Sequence, residues 1–577
     1  MEEFPCIPRI AVLTCIFYVK PNHMKRLSKS KTAFLLYILI LGTTGISLAQ
    51  EREQDYQSKV PHYTFSTTLE EQEAELQTNP LLLRFHESRA KMANDPHRPI
   101  YHYVNPEGRL NDPNGLCFWQ GNWHLFYQAY PPEDTRQHWG HAISKDLIHW
   151  EDLPLAIYPN PERACFSGSA LVDGDRVIAF YHGTEVGSMA AISTDPLLLN
   201  WEKVTGKAVI PEVDPSGFPL PYSVYDPCIW KRDSVYYALL GGRVNEGPGN
   251  KPVPTAYLFR SLDLANWQYM HEFVEDDRFT LIGDDYACPY FWPIGDRYIL
   301  PFYSHMSGGQ YLLGDYDTER NKFVTTNHGN FNFGPSGPSG VHAPSAAPDG
   351  KGGVIIIFNM NPGMATQGWN QIMTLPRRLS LISEDEIGIE PAGDIESLRY
   401  NHKEVKSMTL PANKEVTLKN IKGNAMEIYA EIDPREATMI ELNVLKSPKK
   451  EEYTTITILP ERGYRSGRDY WPTPGERRRQ GPSPCLVSLQ TTHSSILPNA
   501  RARAPETAPV QLDRDETIKL RIFIDKSVVE VFINGKQCVA ARVYPGRDDS
   551  TGVSIRSQGS SSELLTFDAW QMKNIYE

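Results

Sequence analysis

The run GNWHLFYQAY at residues 121–130 begins at a Gly-Asn turn signal and continues through closely spaced aromatic and aliphatic residues. Such a run, bounded by turn residues, reads as a β-strand. Four more follow: DRVIAFYHG from 175, SVYYALLGG from 234, DRYILPFYSH from 296 and GGVIIIFNM from 352. Each interval leaves room for about four short strands. A second element recurs between the early runs. SKDLIHW (144–150), STDPLLLNW (193–201) and RSLDLANW (260–267) share a Ser, then an Asp, then a closing Trp. Two elements repeating together, with almost no helix signal, predict an all-β chain whose residues 96–385 form a five-bladed β-propeller. A large β-sandwich with coincidental strand spacing is the alternative.

Composition agrees with many short strands joined by tight turns. The 577 residues include 29 Tyr, 22 Phe, 11 Trp, 41 Gly and 45 Pro. A net charge of −12 argues against nucleic acid or an anionic membrane as the main partner. The segment MKRLSKSKTAFLLYILILGTTGISLAQ (24–50) has a basic start, a short apolar run and a small-residue site at Ser47-Leu48-Ala49. That is the layout of a secretory signal peptide, with Met24 as the expected true start and a secreted or periplasmic destination. Residues 1–49 are therefore read as leader and 50–95 as a polar linker and docking segment with a short helix around 69–76. Beyond 386 the alternation in EIYAEIDP, ATMIELNVL and IKLRIFIDKSVVEVFING predicts a C-terminal β-sandwich over 386–577, a surface for a homodimer. The Arg/Gly/Pro-dense stretch 461–480 reads as an exposed loop. Cys117, Cys165, Cys228, Cys288, Cys485 and Cys538 lack metal-ligand spacing and read as buried thiols.

Just ahead of each run lies a segment expected to form the innermost strand of its blade: 110–119, 165–172, 224–230, 286–294 and 341–348. Asp112, in LNDPNG, leads the first and Asp226, in YDPCIW, leads the third. Asp-Pro-Asn-Gly is by itself good β-turn chemistry. Two carboxylates brought together from separate blades repel, and work at a glycosidic bond is a reason to keep them so.

LNDPNG, WGHAISKDLIHW, CFSGSAL, GWNQIMTLPRRLSL and LRIFIDKSVVEVFINGKQCVAARVYP, in this order, resemble glycoside hydrolase family 32, the β-fructofuranosidases, inulinases and levanases. The resemblance spans most of residues 96–577 and implies a five-bladed propeller followed by a β-sandwich. It implies that Asp112 is the nucleophile forming a covalent fructosyl-enzyme and that Asp226 stabilises the transition state. Asn111, Gln128, Trp139, Phe166 and Ser167 match positions lining the fructosyl subsite, where Trp139 and Phe166 stack on the ring or wall it from water. The chain departs from the family twice. Tyr225 stands where an Arg precedes the second Asp, and Ala287 in DDYACP stands where the family carries its general-acid Glu. Asp285 is the preferred substitute acid, since two residues along a strand return to the same face; Asp284 and His342 are further candidates, and a plain turn at 284–285 is the alternative. Asp146, Asp195 and Asp263 of the Ser-Asp-Trp elements read as turn residues.

The expectation is a secreted retaining hydrolase of sucrose or fructans, with no metal or organic cofactor and no membrane contact beyond the export signal. A fructan-binding protein that has lost turnover and a related hydrolase of another furanoside are the competing readings.

Overall fold

All five runs emerge as second strands of successive sheets, antiparallel except where Val274–Glu275 pairs with Lys322–Asn330 at the edge of the fourth. The computed structural model describes residues 56–577, apart from 215, 217, 219, 245–246, 461–482 and 514–515. The export signal and the Arg/Gly/Pro-rich 461–480 stretch lie outside the described residues. The second strands are Asn122–Tyr130, Arg176–Gly183, Val235–Val244, Arg297–Ser304 and Val354–Met360. Each pairs with a first strand: Arg109–Trp119, Cys165–Asp173, Val224–Arg232, Trp292–Ile294 and Val341–Pro348.

These first strands pack against one another. That of the first sheet lies beside those of the second and fifth, and that of the second beside that of the third. Buried hydroxyls join them: Leu116 N donates to Ser345 Oγ (3.0 Å) and Ile229 N to Ser169 Oγ (2.9 Å). Tyr290 Oη, from the fourth sheet, donates to Gly168 O at 3.0 Å and lies 2.9 Å from Ser345 Oγ. Backbone groups left free by the close approach of strands are thus satisfied away from water.

The Ser-Asp-Trp elements are the turns after the third strands. Asp146 Oδ1 accepts the backbone N–H groups of Ile148 and His149, each at 2.9 Å. Asp195 and Asp263 accept backbone N–H groups in the same manner. The closing Trp201 and Trp267 each donate an indole N–H to a backbone carbonyl three residues earlier.

The 50–95 segment is more ordered than its polar composition predicts. The expected helix spans Leu69–Leu76, and a second, Pro80–Met92, follows it, capped by Asn79, whose side chain accepts from Leu81 N and Leu82 N. Val60, Phe65, Leu76, Leu81, Leu82 and Phe85 are buried in one apolar cluster with Leu110, Leu125 and Tyr127 of the first sheet. From residue 56 on, this segment docks on the first sheet. Neither helix, nor any other among the described residues, is long and apolar enough to cross a membrane.

Beyond residue 398 the chain forms a seven-stranded and a six-stranded antiparallel sheet. Ile428, Ile522 and Val531 of one share an apolar layer with Leu442, Ile456 and Ile555 of the other. A buried charged knot ties this layer to the first part of the chain. Asp525 accepts the backbone N–H groups of Ile100, Tyr101 and His102. His102 bridges Asp525 (2.9 Å) and Glu530 (3.1 Å), and Glu530 also binds Arg377 (2.8 Å).

Candidate active site

The first strands share an irregularity that builds the site. Leu110 pairs with Ala129 and Pro113 with Tyr127, leaving Asn111 and Asp112 opposite the single residue Gln128. In the second sheet Phe166 and Ser167 oppose His182. Tyr225 and Asp226 oppose Gly241 in the third, and His342 and Ala343 oppose Asn359 in the fifth. In the fourth, Ala287 bridges Tyr303 and Trp292 pairs with Ile299, again with one extra residue on the first strand. A β-bulge redirects side chains from the regular pleat. Here the redirected side chains meet.

Asn111 to Gly115 is therefore not the free-standing turn its composition suggests. It runs inside the strand Arg109–Trp119, which shifts register on both sides of Pro113-Asn114. Gly115 has φ +51°, and a Cβ there would lie 3.0 Å from the Trp139 ring and 3.1 Å from Phe126.

Asp112 is 8% exposed. Its Oδ2 accepts Ser167 Oγ at 2.7 Å and Gln128 Nε2 at 3.1 Å, and Gln128 also donates to Ser167 at 2.8 Å. Its Oδ1 makes no hydrogen bond among the described residues, with His342 Nδ1 at 3.2 Å. Asn111 donates to Gln128 Oε1 and accepts from Asn359 and Gln371, so a chain of amides fixes the carboxylate's frame. Asp226 Oδ2 accepts Cys288 N at 2.9 Å. Cys288 Sγ lies 3.4 Å from Asp226 Oδ2 and 3.8 Å from Asp112 Oδ2, so the two carboxyl groups converge on one thiol. Cys288 itself has φ +46°. The close approach needs Gly241, where a Cβ would lie 1.9 Å from Tyr286 O.

The shared environment drives the two acids apart. Burial alone would push Asp112 up, but His342, the Ser167 hydroxyl and the charge of His305 outweigh it and bring the carboxyl below its usual range. Burial pushes Asp226 up and the Asp112 charge adds to this, only partly offset by His182 and Cys288. The Cys288 thiol is driven well up by burial and by both carboxylates, so it stays protonated. One group is thus held as an anion beside a second that resists ionisation, a pattern suited to dividing nucleophilic and supporting roles.

The remaining predicted residues divide. Phe166 is half-buried at the site, edge-on to His182 with centroids 6.0 Å apart. Tyr225 is half-buried too; its hydroxyl has no hydrogen-bond partner among the described residues, and burial with the Asp285 and Asp226 charges pushes it up. Trp139 is 0% exposed, packed on Phe126 and Tyr181, with its indole N–H on Phe166 O at 2.9 Å. It cannot stack on a sugar; it supports the second bulge from beneath. Asp285 is not poised as an acid either. Its two oxygens accept His305 N at 2.9 Å and His305 Nδ1 at 2.8 Å, the role of a carboxylate. The 284–291 segment is no continuous strand, since only Ala287 is bridged. Asp284 is fully buried on Ser304 and Leu281 N. His342, by contrast, reaches the site.

Sequence reasoning missed His305, His182, Asn359, Gln371 and the placement of Cys288. A signal existed for two of them. Aligning the runs from their first residues puts Gln128, His182, Gly241 and Asn359 in one column, the position opposite the bulge in those four sheets. Among the described residues, no three His, Cys, Asp or Glu side chains are grouped so as to hold a metal ion.

Comparison with known proteins agrees with this architecture. The chain is 26% identical over 524 residues to the levanase of Bacillus subtilis (strain 168), covering 84% of this chain and 71% of that protein. It is 26% identical over 520 residues to a sucrose-6-phosphate hydrolase of Zymomonas mobilis, covering 82% and 92%. Among solved structures, fructan 1-exohydrolase IIa from Cichorium intybus superposes with a TM-score of 0.70 at 22% identity, covering 83% of this chain and 98% of that one. The N-terminal domain model of glycosyl hydrolases family 32 matches residues 102–391 and the C-terminal model residues 394–571. With both models matched in chain order, the chain belongs to glycosyl hydrolases family 32.

Proposed function

We propose that this glycoside hydrolase releases β-D-fructosyl units from sucrose or fructans with retention, through a covalent fructosyl-enzyme on Asp112, and that it acts outside the cytoplasm. The five sheets are read as blades of a propeller, the two sheets after residue 398 as a sandwich, and the bulged first strands as the walls of the substrate pocket. The observation that carries the reading is the Asp112–Cys288–Asp226 convergence. It supplies an ionised carboxylate, fixed by Ser167 and Gln128, beside a second carboxyl from another sheet. Asp112 attacks the anomeric carbon, and water later opens the ester. Holding Asp112 in one geometry supplies much of the rate gain. Asp226 stabilises the transition state through the sugar hydroxyls, and the Tyr225 hydroxyl, without a partner among the described residues, offers a neutral hydrogen bond where an Arg would offer a charged fork.

Ala287 favours a second reading, a fructan-binding protein without turnover, because no carboxylate stands at the usual acid position. The test is fructose release from sucrose, inulin, levan and β-fructosyl fluoride, with Asp112→Asn as the blank. Fluoride leaves without a proton, so its release reports the nucleophile without the acid. Release from the fluoride by the native chain and not by the variant supports the hydrolase. No release from any of the four refutes it.

A further inference from the structure

Resting on that reading, we infer that His305, oriented by Asp285, is the proton donor that replaces the missing carboxylic acid. The bridge between Ala287 and Tyr303 sets the register: Ala287 N donates to Tyr303 O at 3.0 Å and Tyr303 N to Ala287 O at 2.8 Å. Asp285 lies two residues before Ala287 and His305 two after Tyr303. No ladder pair follows this bridge, and the couple meets just beyond its end through side chains. The side chains confirm the meeting, since Asp285 holds both His305 N and Nδ1. With Nδ1 bound to a carboxylate, the proton available for transfer is on Nε2, which makes no hydrogen bond among the described residues. The His305 side chain is 67% exposed, open to an incoming substrate.

Its ring belongs to the site. Tyr303 lies between two imidazoles, 5.4 Å from His305 and 4.4 Å from His342, and the two imidazoles are 6.3 Å apart. His342 is in turn 3.2 Å from Asp112 Oδ1. The groups acting on His305 are Asp285, Asp226, Asp112, His342 and Tyr303. The Asp285 hydrogen bond raises the imidazole, burial opposes it, and the charges of Asp285, Asp226 and Asp112 add to the rise. Burial pushes Tyr303 up to about 12, so it remains a neutral phenol. The nearby alternatives are already engaged. His342 faces the nucleophile, His182 is held neutral by burial, and Asp226 Oδ2 accepts the Cys288 N–H.

In the first step an Asp112 oxygen bonds to the anomeric carbon and the bond to the leaving oxygen breaks. Its electron pair takes the Nε2 proton, leaving a neutral imidazole. In the second step that imidazole accepts a proton from water as the water oxygen bonds to the same carbon. The Asp112 carboxylate and the His305 imidazolium are restored, and one water is consumed.

The test is the ratio of sucrose cleavage to fluoride release from β-fructosyl fluoride, both read in the first turnover, in the native chain, His305→Ala, Asp285→Asn and the double change His305→Ala with Ala287→Glu. His305→Ala is expected to lower the ratio about 10²–10⁴-fold, the usual worth of a general acid. First-turnover fluoride release by the same sample, which needs neither acid nor base, shows that it is folded. Asp285, a positioning residue, is tested by pH. Without it the basic limb of the sucrose profile moves to lower pH, because the imidazolium loses the partner that raises it. Glu at 287 is expected to recover part of the ratio and replace the imidazole limb by a carboxylate one. A ratio unmoved by His305→Ala, which would leave proton donation to Asp226 or another group, overturns the inference. So does a native chain that turns over the fluoride but neither sucrose nor fructan. Loss of fluoride turnover in the native chain would instead sink the hydrolase reading itself.

Discussion

Replacing Asp525 by Ala removes one side chain and leaves four donors without an acceptor. Ile100 N and Tyr101 N lie 2.8 Å from its oxygens, and His102 N and His102 Nδ1 lie 2.9 Å away. The His102 and Asp525 side chains are both 0% exposed, so water cannot step in without opening the junction. Leaving a buried donor unpaired costs about 1–3 kcal/mol, which puts the three backbone groups together at roughly 3 kcal/mol or more. Breaking a buried ion pair from one side costs about 3–5 kcal/mol, and because the two estimates share atoms they do not add. The expected loss is therefore about 3–5 kcal/mol. The assay is equilibrium denaturation in urea beside Asp568→Ala, which removes the partner of the half-exposed His402 (2.6 Å) and should cost at most about 1 kcal/mol. An Asp525→Ala chain within 1 kcal/mol of the native one, or no worse than Asp568→Ala, would refute the assignment of the DKSVVE segment as the tie between the two parts of the chain.

Ser167→Ala removes a 2.7 Å hydrogen bond that lowers Asp112, so the carboxyl rises. Turnover needs the anion, and the acid limb of kcat/KM for β-fructosyl fluoride is expected to move to higher pH; an unmoved limb would mean that Ser167 does not set the nucleophile's ionisation. Gly241→Ala places a methyl 1.9 Å from Tyr286 O, a contact with backbone that no rotamer relieves. It is expected to cost about 1–3 kcal/mol of stability and to lower activity by dislodging Cys288 from Asp226, measured by thermal unfolding and fluoride turnover. Full activity in that variant would contradict the tight packing of 286–288 against the third sheet.

The strands that could be read from sequence are those whose signal is local. Each of the five runs carries its apolar residues and turn boundary together, and each became a second strand. Asp146, Asp195 and Asp263 were readable as turn residues because an Asx turn is closed within a few residues. The helix Pro80–Met92 had local signals too, the Asn79 cap and Pro80 at the first turn, but its polar surroundings hid them. What a single strand cannot show is register. Trp139 looked like a ring-stacking residue from its polar neighbours, yet the bulge at Phe166 and Ser167 covers it. Asp285 pointed toward the right place for a reason that depended on an unbroken strand, while its partner His305 lies twenty residues away and meets it only through the Ala287–Tyr303 bridge. The two carboxylates and His342 were legible because first-strand segments repeat; His182 and His305 were not, because they enter from the second strands.

The most direct test of the central claim is to catch the ester. Native chain mixed with β-fructosyl fluoride is quenched in acid within one turnover, digested, and its peptides weighed, with Asp112→Asn treated alongside. The account predicts a fructosyl adduct on the peptide carrying Asp112, absent from the variant. Fructose release with no adduct on that peptide, or an adduct on another carboxylate, would contradict it.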